Sequence, residues 1–176
     1  MIPKKHFKKQ KKEYEDNVIE IRRVTRVVAG GKRMSFRAVV VIGNRKGKVG
    51  VGVGKSTDVS DSIRKAKADA KKHLIQVLLK DNRTILYDVD AKFNAARIRI
   101  KPVPEGHGLI AGGTARTVLD LVGIKDISAK LLGTTKNKLN NAMVAVEALK
   151  EFEDFSKKEA NKEPEQKEET VSKEKP

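Results

Sequence analysis

A chain of 176 residues with 39 Lys and Arg against 23 Asp and Glu, no Cys and no Trp fits one domain or two small ones with an aliphatic core, and excludes disulfides and thiolate metal sites. No stretch approaches the roughly 18 consecutive apolar residues of a membrane span, and the basic start lacks the apolar run of a signal peptide, so a cytoplasmic address without membrane contact is expected. The net charge of +16 points to a polyanionic partner reached by phosphate neutralisation and counterion release.

In chain order, residues 1–16 form a basic extension whose first twelve carry six Lys and no acid; it is expected to order only against a partner. Val18 to Val28 is rich in β-branched residues and reads as a strand, with a bulge expected at Arg22-Arg23 where the alternation slips. Ala29-Gly30-Gly31-Lys32-Arg33 reads as the turn into a second strand, in which Met34, Phe36, Ala38, Val40 and Ile42 alternate with Ser35, Arg37, Val39 and Val41. Gly43-Asn44-Arg45-Lys46-Gly47 is a five-residue hairpin loop, and Val49, Val51 and Val53 alternate with Gly50, Gly52 and Gly54 in a third strand. Asp58 is a candidate N-cap for a helix carrying Val59, Ile63, Ala66, Ala70, Leu74 and Val77 on its buried stripe and Arg64, Lys65, Lys67, Lys71 and Lys72 opposite.

After Lys80-Asp81-Asn82, a hinge region, Ile98 and Ile100 mark a strand ending at Pro102-Val103-Pro104. Gly106 to Gly113 leads into a helix over Thr114 to Val122 stopped by Gly123, and a last helix places Leu139, Ala142, Val146 and Leu149 on one face. The expectation is an α+β chain: a β-β-β-α domain over 17–80, an α/β domain over 81–155 and a disordered Lys/Glu-rich tail over 156–176.

Residues 17–80 hold sixteen bases and four acids, whereas residues 81–155 hold eleven and ten. The polyanion-facing surface is therefore expected in the first half. Its sharpest candidate is the Gly30-Gly31-Lys32-Arg33 turn flanked by Arg22, Arg23, Arg26 and Arg37, since glycines permit close backbone approach and the cations supply phosphate contacts. Arg45, Lys46 and Lys48 at the second hairpin are expected to extend that surface, with Lys55 and Arg64 beside it. Aromatics are only 4% of the chain, which favours backbone and shape recognition over base stacking.

Other constellations carry less. Gly50 to Ser56 imitates a phosphate-binding loop, but its spacing fails and the Gly/Val alternation says strand. Gly106 to Thr114 places backbone N–H groups where they could surround an anion, yet no general base or magnesium carboxylate accompanies them. Capping and close packing, including against a partner protein, explain that stretch better. His6, His73 and His107 share no ligand spacing, and no nucleophile motif is present. The expectation is a binding protein that needs no cofactor or metal and is not an enzyme.

Gly31 to Ala66, reading GKRMSFRAVVVIGNRKGKVGVGVGKSTDVSDSIRKA, resembles the signature of the bacterial-type small-subunit ribosomal protein five family. Lys101-Pro102, Gly106 to Gly113, Arg116 and Val118-Leu119 to Gly123 resemble its second block. The resemblance implies a double-stranded-RNA-binding-like domain followed by an α/β domain, in contact with small-subunit rRNA, ribosomal proteins four and eight and the messenger entry path, and not as a homo-oligomer. By motif position, Ala29 to Arg33 would be an extended loop near the subunit head, close to where spectinomycin binds. Gly106, Gly108, Gly112, Gly113 and Arg116 would face protein four, where accuracy phenotypes are expected. His107, Thr114, Ser60, Lys138 and Met143 depart from the residues usual in the family.

Overall fold

Alternating small and β-branched residues build the first sheet. The structure, a computed structural model, describes residues 13–152; the expectations for His6 and for the 156–176 tail lie outside the described residues. Strands β1 (Glu15–Val28), β2 (Gly31–Gly43) and β3 (Lys48–Ser56) pair antiparallel in that order, and the two-residue β4 (Ile75–Gln76) adds to β3. Helix α1 (Val59–Lys72) covers one face of this sheet. Ala38, Val40 and Ile42 pack there against Ala66 and Ala70. Val39, Val41, Val49 and Val51 point the other way, into a core shared with the second half of the chain. Because both faces of β2 are buried, its sequence is a continuous apolar run rather than a clean alternation.

Gly50, Gly52 and Gly54 lie under α1. A β-carbon on Gly50 would stand 2.5 Å from the Ala70 carbonyl oxygen, and those on Gly52 and Gly54 would collide with the backbone of Ala66, Ala70 and Ser62. The helix answers with its smallest side chains, Ser62, Ala66 and Ala70, all buried. Close helix-to-sheet approach thus accounts for all three glycines.

Three features differ from expectation. The irregularity in β1 falls between Val18 and Glu20, not at Arg22-Arg23, whose pairing with Arg37 and Phe36 is regular. The extra residue, Ile19, packs into the shared core while Val18 packs under α1, so the bulge serves burial on both faces. The first turn is only Ala29-Gly30: pairing continues through Val28 with Gly31, so Lys32 and Arg33 belong to β2. Gly30 adopts a φ of 87°, a left-handed conformation that lets the strands reverse in two residues. Helix α1 stops at Lys72 instead of reaching Val77, because Ile75 pairs with Val49 in β4 and Val77 enters the shared core, a strand-like spacing. Residues 80–84 close a hydrogen-bonded turn, with the Lys80 N–H donating to the Thr84 carbonyl at 2.8 Å.

The second half contributes β5 (Val89–Phe93), β6 (Ala96–Pro102), β7 (Leu109–Ala111), α2 (Gly113–Val122) and β8 (Ile127–Leu131), then a helix over 138–152. Its sheet has the order β5-β6-β8-β7, antiparallel except for β7 with β8. Gly123, at φ 97°, ends α2 with its N–H on the Asp120 and Leu119 carbonyls. The 138–152 helix buries Ala142, Val144, Ala145, Val146, Ala148, Leu149 and Phe152, and Met143 packs against the same core.

Candidate nucleic-acid interface

β3 pairs with β2 only as far as Phe36 opposite Ser56, so beyond that point β1 and β2 continue as a two-stranded ribbon to the Ala29-Gly30 turn. In an antiparallel pair, directly opposed residues share a face and successive residues alternate. Arg26 opposes Arg33 on the ribbon and Arg22 opposes Arg37 at its base, which puts four guanidinium groups on one continuous face. Lys55 opposes Arg37 from β3 and joins them. Arg23, Thr25, Val27, Lys32, Met34 and Phe36 occupy the other face, where Val27 is 75% exposed.

Like charges directly across a ladder are unfavourable, so this arrangement does nothing for the isolated fold. Arg22 donates to Glu20 at 2.9 Å; among the described residues, Arg23, Arg26, Lys32, Arg33, Arg37 and Lys55 form no ion pair. Cations left uncompensated along a narrow arm suit a ligand that carries its own regularly spaced negative charge. Gly30 and Gly31 have open space where a side chain would be, leaving the backbone at the tip accessible.

The second hairpin does not extend this surface. β2 has thirteen residues, about 40 Å at roughly 3.3 Å per residue, and Arg45, Lys46 and Lys48 lie at the end remote from Gly31. Arg45 is engaged within the chain: its side chain meets Glu15 at 2.8 Å and Asp120 at 3.7 Å, and its N–H donates to the Leu121 carbonyl at 3.0 Å. Antiparallel connectivity forces this separation, since successive hairpins fall at opposite ends of a sheet. Arg64, on α1, pairs with Asp61 at 2.9 Å but remains 78% exposed.

The glycine stretch has its anion inside the chain. The Gly106 and Gly108 N–H groups donate to Asp126 Oδ1 at 3.0 and 3.1 Å, and Arg83 grips Oδ2 through Nε at 3.1 Å and Nη2 at 3.0 Å. The Gly108 N–H, with Arg83 and the Gly106 N–H in support, holds the Asp126 carboxyl below its ordinary value against the opposing effect of burial. Neither Arg83 nor Asp126 was a candidate from sequence, because 43 residues separate them and no spacing rule joins them. Gly112 and Gly113 lead into α2, and Arg116 stands exposed on its first turns beside Ile110 and Lys130. His73 is exposed and donates from Nδ1 to the Asp69 carbonyl at 3.0 Å.

Comparison with known proteins bears on this geometry. The family model described as ribosomal protein S5, N-terminal domain, matches residues 14–78, and that described as ribosomal protein S5, C-terminal domain, matches residues 91–163. The chain belongs to the ribosomal protein S5 family. Similar relatives of the ribosomal protein S5 family include the small ribosomal subunit protein uS5c of Cyanophora paradoxa, 49% identical over 84% of this chain and 86% of the relative. The small ribosomal subunit protein uS5 of Synechococcus elongatus is 50% identical over 81% of this chain and 79% of its own length. The arginine ribbon and α1 lie within the N-terminal match, and the clasped glycine stretch lies within the C-terminal one.

Proposed function

We propose that this chain is a structural constituent of the small ribosomal subunit that holds rRNA through the arginine face of the β1–β2 ribbon. The observation that carries the reading is that face itself: Arg26 opposite Arg33 on the exposed arm, and Arg22 opposite the half-buried Arg37 at its base. Lys32, Gly30 and Gly31 contribute at its tip, Arg23 from the reverse side, and Lys55 at its base. Arg64 on α1, and Lys46 and Lys48 at the far hairpin, make separate contacts around the sheet rather than one continuous patch. Residues 17–80 act as the RNA-holding unit, and residues 81–155 meet the neighbouring proteins, four and eight. In this reading Gly106, Gly108, Gly112, Gly113 and Arg116 present the surface toward protein four, through which the chain influences decoding accuracy and the messenger path.

Sucrose-gradient fractionation of cells expressing a tagged full chain tests the assignment. Recovery with small subunits is expected, and the Arg22, Arg26, Arg33 and Arg37 to Gln variant should shift toward the light fractions. Recovery of the unaltered chain only in light fractions would favour a free RNA chaperone or processing factor and end the ribosomal reading.

A further inference from the structure

Counting charge along the chain hides a second cationic surface, because folding separates the acids of the second half from many of its bases. In β6 the buried residues Ala96, Ile98 and Ile100 alternate with exposed Arg97, Arg99 and Lys101. The register sets Lys92 of β5 opposite Arg97, Asp90 opposite Arg99, and Lys130 of β8 on the other side of Arg99. Lys92, Arg97, Arg99, Lys101 and Lys130 therefore share the solvent-facing side of one sheet. Among the described residues, the acids that pair with them are Asp90, bidentate to Arg99 at 2.7 and 2.6 Å, and Asp88, 3.2 Å from Lys101. Among the described residues Lys92, Arg97 and Lys130 have no ion-pair partner. Lys92 directly across from Arg97 is again a like-charge pair that the fold alone does not favour.

We infer that this open face of the β5–β6–β8 sheet is a second RNA-backbone contact surface, carried chiefly by Lys92, Arg97 and Lys130. The inference rests on the proposed RNA-holding role and extends it to the half of the chain whose net charge is near zero. Its composition selects the occupant. A protein partner wants an apolar or aromatic centre with Lys depleted, whereas among the described residues the exposed apolar side chains of this face stand at its margins: Ile110 on β7, and Leu132 just past the end of β8 beside Arg97. A ladder of Lys and Arg with Ser128 between them fits phosphate and sugar contacts. No ring lies on this face of β5, β6 or β8 to stack a base: Phe93 opposes Ala96 and so points to the buried side.

The test is the salt dependence of binding to protein-free small-subunit rRNA, measured with the full chain and with Lys92→Gln/Arg97→Gln/Lys130→Gln. The three residues are exposed, and circular dichroism confirms folding of the variant. The triple variant is made both in the unaltered chain and in one whose ribbon arginines are Gln. Loss of three phosphate contacts at roughly 0.7–0.9 each lowers the slope by about 2 to 3. Equivalently, the ratio of affinities at 50 and 200 mM salt falls about 20- to 40-fold, in either background. A slope unchanged by the triple substitution, while the ribbon substitutions lower it, overturns this inference and leaves the ribbon reading intact. A slope unchanged by the ribbon substitutions alone removes the ribbon reading instead. Loss of binding to a neighbouring ribosomal protein with an unaltered RNA slope would show the face to be a protein contact and also overturn the inference.

Discussion

Replacing Gly52 by Ala adds one methyl group beneath α1 at a place where only backbone is available to meet it. The new carbon would collide with the Ala66 carbonyl oxygen and the Ala70 nitrogen, and would lie 2.8 Å from the Ala70 Cα. A flexible side chain could swing aside, but a helix backbone moves only as a unit, so α1 must lift from β3 and loosen the packing of Ala38, Val40, Ile42, Ala66 and Ala70. Overpacking of this kind costs about 1–3 kcal/mol. For a chain of this size each kcal/mol moves the melting midpoint by roughly 2–4 °C, so a fall of about 2–12 °C is expected in thermal denaturation followed by circular dichroism. Gly31→Ala is the control: nothing stands within 4 Å of its added carbon, and its midpoint should stay within about 1 °C. A Gly52→Ala midpoint equal to the control would refute the claim that the Gly/Val alternation exists to seat the helix.

Three further outcomes follow from the clasped glycine stretch and its surroundings. Asp126→Asn removes an acceptor from Arg83 and lowers the melting midpoint at neutral pH. Because the native carboxyl is held below its ordinary value of 3.8, the stability it provides is present above that value and is lost as pH falls through the lower native one. The gap between wild type and variant should therefore stay level from pH 7 to about 4 and close below; a gap that persists in strong acid contradicts the ion-paired clasp. Arg116→Ala should change miscoding in a stop-codon readthrough assay while leaving rRNA affinity within about twofold, and the opposite pattern would assign Arg116 to the RNA. Arg45→Gln, which loses contacts to Glu15 and Asp120, should lower the melting midpoint without lowering the salt slope; a lowered slope would return Arg45 to the RNA interface.

Much of the fold was legible because period two and period 3.6 were each written in strong residues. The valines and glycines of β3, the buried Ile98 and Ile100 of β6, and the Leu139, Ala142, Val146 and Leu149 stripe gave their elements directly. What escaped was decided by tertiary pairing. β7 has three residues and β4 two, too short for any periodicity. Lys32 and Arg33 looked like turn residues because they follow two glycines, yet ladder bonds to Val27 and Arg26 make them strand. The candidate cations can be picked out by residue type, but their grouping is not visible in order along the chain. Register, not sequence proximity, put Arg22 with Arg37 and took Arg45 away from them. Asp126 escaped for the same reason: the ligand of the glycine loop comes from 20 residues downstream of Gly106.

The arginine ribbon is the centre of the account, and the salt dependence of rRNA binding measures it most directly. With Arg22, Arg26, Arg33 and Arg37 changed to Gln in the full chain, the slope of log affinity against log salt should become shallower by about 3, at roughly 0.7–0.9 per lost phosphate contact. A variant that folds normally and binds with the original slope would mean that these four guanidinium groups never meet a phosphate.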